Sequence, residues 1–153
     1  MFNFHRLTYF VYNFRFHFKI GNSQIAIGNM LQGFRKLTVY TKAFDLAMEI
    51  FELTKSFPAE EKYELTDQIR RSSRAVCRAI GEGYRKRQYP KHFSSKMSDA
   101  DMENTETQVS LDFAFKCQCI SHDIYDSLID KSEEVGRLLN HTIENPEKYM
   151  PRA

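Results

Sequence analysis

EEKYELTDQIRRSSRAVCRAIGEG, running from Glu60 to Gly83, is the stretch from which the fold can be read. Leu65, Ile69, Ser73, Val76 and Ile80 recur at spacings of three and four, the period of one face of an α-helix. Ser72, Ser73, Ala75 and Ala79 are small, so a neighbouring helix can approach closely. Glu60 and Glu61 suit the positive end of the helix dipole, and Gly83 suits the position just past the carboxyl end. The spacing therefore predicts a helix from about Glu60 to Glu82.

Three further helices flank it. Before it, Val39, Ala43, Leu46, Ile50 and Leu53 predict a helix from about Thr38, as N-cap, to Ser56, ended by Pro58. Tyr40, Phe44, Ala47 and Phe51 add a second apolar row, which suits a helix buried against more than one neighbour. After it, Pro90 opens a helix expected to reach Gln118, about 43 Å at 1.5 Å per residue. Asn104 and Gln108 sit within its apolar stripe and need hydrogen-bond partners if buried. Ser121 is a good N-cap for a fourth helix, carried by Ile124, Leu128, Val135, Leu138 and Thr142 and stopped by Asn145-Pro146. Long helices joined by short turns make antiparallel neighbours, so the expected fold is all-α, an up-and-down antiparallel four-helix bundle over residues 30–149 with a short tail, 150–153.

Residues 1–29 read differently. Phe14 to Ile20 alternates apolar and polar residues with the period of a strand, which has no partner in a helical bundle. This leader is expected to be a disordered or mis-assigned start, with Met30 as the true first residue. The alternative is a real strand or oligomerisation arm. Asn3, His5, Arg6, Asn13 and Arg15 interrupt any apolar core that a signal peptide would need.

A chain of 153 residues buries enough surface to fold without staples. Cys77, Cys117 and Cys119 are too few and too odd in number for a disulfide framework, and reduced cysteines suit a cytoplasmic protein. No apolar run approaches the roughly 20 residues of a membrane-spanning helix, so no membrane partner is expected.

The net charge of +2 hides an asymmetry. Arg70 to Lys96 holds nine Lys or Arg and one acid, Glu82, whereas Met97 to Glu147 holds twelve acids and three bases. Arg70, Arg74 and Arg78 stand at i, i+4 and i+8 on one helix face, with Arg71 beside them. Arg85, Lys86, Arg87 and Lys91 extend the zone past the helix end. Like charges so spaced repel, and something must offset the cost. Phosphates are one candidate, because guanidinium forks bind them bidentately. Pairing with acids of the third and fourth helices, such as Asp99, Asp101 or Glu103, or with another subunit, is the other.

No catalytic or metal site is expected. Gly81-Glu82-Gly83 is too short for a phosphate loop and follows no strand. The carboxylates Asp99, Asp101, Glu103 and Glu106 lack the Glu-x-x-His elements of di-metal bundles, and read as solvated helix faces. No cofactor is implied.

Several stretches resemble the four-helix bundle proteins encoded in intervening sequences of bacterial 23S ribosomal RNA genes. They are Phe34 to Tyr40 with Lys42-Ala43, Phe57-Pro58 with Glu60 to Ser72, and Ile80 to Tyr84. Phe93, Ala100, Glu106-Thr107-Gln108 and Glu134 to Leu139 complete the likeness. The resemblance covers about Gly33 to Ile143. It implies an up-and-down bundle that assembles into a homopentamer, with no enzymatic activity. Its relatives include the accessory protein of diversity-generating retroelements, which binds reverse transcriptase and is basic enough to bind nucleic acid. Asn104 stands where the family usually has an acid, and Asp101 where it has a small residue. The expectation is thus a non-enzymatic homo-oligomer that binds RNA, or a nucleic-acid-processing protein, through the arginines of the second helix. The alternative is a protein-interaction scaffold whose charged faces pair between subunits or with a protein partner.

Overall fold

A computed structural model of the chain describes residues 33–151. The expectations for residues 1–29, and for a start at Met30, lie outside the described residues. Four helices carry the fold: α1 (Thr38–Leu53), α2 (Asp67–Lys86), α3 (Pro90–Lys116) and α4 (His122–Glu144). α2 packs most extensively on α3 and α3 on α4, while α1 bridges α2 and α4. α1 and α3 thus occupy opposite corners of an up-and-down bundle, as do α2 and α4. Among the described residues no helix is long and apolar enough to cross a membrane.

The core forms where the periodic apolar residues meet. Ile50, Ile69, Ile80, Phe93, Met97, Leu111, Val135 and Leu139 are fully buried, with every long helix contributing. At mid-height the core is polar, and its partners are in place. The Asn104 amide donates to the Ser132 carbonyl at 3.0 Å, and the Ser132 hydroxyl donates back to Asn104 Oδ1 at 2.9 Å. Beside them the Thr107 hydroxyl donates to Ser72 Oγ at 2.9 Å. These bonds tie α3 to both α4 and α2 at fixed heights, so they set helix register as well as satisfying buried groups.

Helix ends depart from the sequence reading in five places, four of them on α1 and α2. Leu37, not Thr38, precedes α1, and no side chain caps it. α1 stops at Leu53, short of the expected Ser56, and continues as a tight turn over Thr54–Ser56. The regular part of α2 starts at Asp67, after a tight turn at Ala59–Glu61 and a wide one at Lys62–Thr66, rather than at Glu60. Its far end runs on to Lys86, so Gly83 lies inside the helix. The reason is tertiary: a Cβ at Gly83 would collide with Met97 Cε and stand 3.1 Å from Lys96 Cβ. This glycine lets α2 and α3 touch.

α3 ends at Lys116 in a Schellman turn built on Gln118, not glycine. Gln118 has φ 61°, Cys119 N–H donates to Ala114 O at 2.8 Å, and Gln118 N–H donates to Phe115 O at 3.0 Å. Pro90 occupies the first turn of α3, and the Ser121 side chain accepts from Ile124 N–H, as expected.

Candidate nucleic-acid interface

The basic residues divide by what they touch. Arg70 is half-buried and turned toward the end of α1: its Nε donates to Thr54 Oγ1 at 2.7 Å, and its guanidinium lies 4.9 Å from the Phe51 ring centre. Thr54 is held for this role by donating its own hydroxyl to Ile50 O at 2.8 Å. Arg71 pairs with Asp67 at 2.7 Å, one turn earlier on α2. Arg87 folds back on its own helix, with Nη1 donating to Tyr84 O at 2.8 Å and its guanidinium 3.9 Å from the Tyr84 ring centre. These three are largely occupied within the chain.

The other five are not. Arg74, Arg78, Arg85, Lys86 and Lys91 are exposed. Among the described residues, no carboxylate lies within 4 Å of any of them. Arg74 leans on Phe51, 5.4 Å from its ring centre, which braces the stem and leaves the charge outward. The acids offered as internal partners are engaged elsewhere or stand apart. Lys96, not an arginine of α2, bridges Asp99 and Glu82, both at 3.1 Å. Hydrogen bonds to Asp99 and then Glu82 hold its ammonium above the usual lysine range. Within one chain the arginines of α2 pair with no acid of α3 or α4 among the described residues.

A cleft of about 380 Å³ opens beside this basic strip. Cys77, Arg78, Gly81 and Arg85 line it from α2, and Phe34 and Tyr40 face them. Gly33, at φ +69°, turns the chain at the start of the described residues, and the Phe34 ring lies against Gly81 of α2. Phe34 and Tyr40 meet edge to face at 4.8 Å. Burial pushes the Cys77 thiol up to about 11, so it is protonated and a poor nucleophile at neutral pH. Burial likewise raises the Tyr40 phenol. Sequence reading missed this cleft, because its far wall comes from the turn before α1. Among the described residues no three His, Cys, Asp or Glu side chains gather to hold a metal ion.

Phe44 and Met48 on α1 are 45% and 42% exposed, and Met102, Val109 and Phe113 on α3 are 69%, 47% and 60% exposed. Each set follows helical spacing and forms an outward apolar stripe. Tyr84 and Tyr125 are half-buried: Tyr84 meets Phe34, and Tyr125 stacks on Phe115 and donates to Asp112.

Comparison with known proteins agrees with this architecture. No curated protein matches the chain. A crystal structure of a protein of unknown function from the S23 ribosomal protein family of Bacteroides thetaiotaomicron is similar, with a TM-score of 0.63 and 28% identity. The similarity covers 69% of this chain and 95% of that one. The family described as 23S rRNA-intervening sequence protein matches residues 35–141, the whole span from the turn before α1 to the last turn of α4. The chain belongs to the 23S rRNA-intervening sequence protein family.

Proposed function

We propose that this chain is a non-enzymatic, homo-oligomeric binding module that holds RNA, or a ribonucleoprotein, on the outer face of α2 and the connector to α3. One observation carries the reading. Arg74, Arg78, Arg85, Lys86 and Lys91 form one run of exposed cations along α2 and the first turn of α3 with no carboxylate partner among the described residues, while several other surface cations do pair. Lys42 bonds Glu134 at 3.0 Å, and Lys96 bonds two acids at once. A like-charged helix face costs stability unless an outside anion offsets it. Phosphate is the anion that guanidinium forks fit best. The test is binding of labelled single-stranded RNA by the native chain and by Arg74→Gln/Arg78→Gln. The double variant binds more weakly, with a salt dependence reduced by about 0.7 of slope per lost contact. Equal binding by both proteins excludes this face.

The scaffold reading is favoured by a different observation, the two apolar stripes at opposite corners of the bundle. Contact between unlike patches propagates head to tail and closes into a ring when the rotation allows. A ring of identical subunits covers both stripes, and five subunits is the number that the family resemblance implies. Light scattering at micromolar concentration checks it, and a monomeric mass excludes it. The two readings are compatible if the ring leaves the α2 face outward.

A further inference from the structure

The basic strip and the cleft beside it share two residues, Arg78 and Arg85. They stand seven positions apart on α2, two turns of one face, with Gly81 between them and Cys77 just before Arg78 on the cleft side. The wall opposite is aromatic, made of Phe34 and Tyr40. Arg35 brings a third cation to that wall, 4.6 Å from the Phe34 ring centre. The one acid of the cleft, Glu82, is neutralised by Lys96 at 3.1 Å. An apolar, aromatic-walled recess with unpaired guanidiniums at its lip matches a ligand with a flat apolar body and an anionic group attached. Its volume, about 380 Å³, lies within the range of roughly 300–1,000 Å³ typical of small-molecule sites.

We infer that this cleft receives an unpaired nucleotide of the bound RNA strand, its base against Phe34 and Tyr40 and its phosphates on Arg78 and Arg85. The inference rests on the RNA reading above and sharpens it. A convex basic face alone takes single and double strands alike, because every phosphate is equivalent to it. A recess that admits a base requires that base to be unstacked, as single strands and loops allow and a duplex does not. Base–aromatic contact is tolerant of sequence, so the cleft selects strandedness rather than sequence.

The test uses the full chain and three labelled probes of equal length at one salt concentration. They are a single-stranded oligouridylate, a strand with the same sugar-phosphate backbone but no bases, and a duplex RNA. Polyglutamate serves as competitor. The intact strand binds about 5- to 150-fold more tightly than the abasic one, the span expected for one stacked base. The duplex gains no such advantage over the abasic strand. Phe34→Leu and Tyr40→Leu keep apolar bulk but remove the aromatic wall, and each shrinks the ratio of intact to abasic binding toward one. Equal binding of intact and abasic strands by the native chain overturns the cleft while leaving the basic face standing. That comparison needs no variant to fold. Displacement of the oligouridylate by polyglutamate at equal charge concentration also overturns it, in favour of an acidic protein segment. Failure of all three probes to bind removes the RNA reading and the cleft with it.

Discussion

The seam between α1 and α4 and the outer face of α2 use the same residue types to opposite ends. On the seam, Lys42 of α1 meets Glu134 of α4 at 3.0 Å, and Lys131 of α4 bonds Glu49 of α1. Each cation faces an acid across the helix junction, so the charges lock two helices together in alternating order. Along α2 and the first turn of α3 five cations are exposed, and among the described residues none has a carboxylate within 4 Å, although the chain carries twenty Asp and Glu. The difference lies in placement rather than supply. Asp99 of α3 and Glu133 of α4 pair within their own helices and Glu134 of α4 serves the seam, so none of the described acids of α3 or α4 reaches the α2 face.

The comparison depends on a bundle that holds α2 in place, and the largest effect comes from breaking it. Phe93 is fully buried where α3 meets the other helices, and its ring lies 5.6 Å from that of Tyr149. Phe93→Ala lowers stability by about 3–5 kcal/mol, read as a shifted urea midpoint. Asn104→Ala comes next. It leaves the Ser132 hydroxyl and carbonyl without their buried partner and costs about 1–3 kcal/mol by the same assay.

Charge variants sharpen the contrast at smaller amplitude. Lys131→Met breaks an exposed seam pair and lowers stability by at most about 1 kcal/mol, without changing RNA affinity at matched salt. Arg74→Gln/Arg78→Gln does the reverse: thermal stability holds or rises slightly as repulsion is relieved, and RNA affinity falls. A melting curve beside a binding isotherm for each variant reads both. Loss of stability in the arginine variant would assign that face to pairing within the assembly.

Much of this was legible in the sequence, because helical periodicity is local and strong. The apolar rows through Ile50, Ile69, Ile80, Met97 and Val135 identify the buried faces, and Ser121 and Pro90 mark two helix starts. The misreadings that bear on the site share a cause, a distant partner that overrides a local rule. Gly83 looks like a helix terminator until Met97 is seen beside it. Arg70 belongs to an unbroken arginine stripe in sequence, yet Thr54, sixteen residues away, draws it off the exposed face. The amide of Asn104 needed partners, but nothing local named Ser132 as the one. The cleft depends on the left-handed backbone at Gly33 and on Phe34 reaching Gly81. None of these leaves a periodic signal.

Anion binding on the α2 face is measured through the affinity of the native chain for single-stranded RNA across a series of potassium chloride concentrations. Five outward cations meeting five phosphates predict a straight line of log affinity against log salt with a slope of about −3.5, from roughly 0.7 per phosphate. A slope near zero, or no binding at the lowest salt, would contradict the account and leave the α2 face to a protein partner.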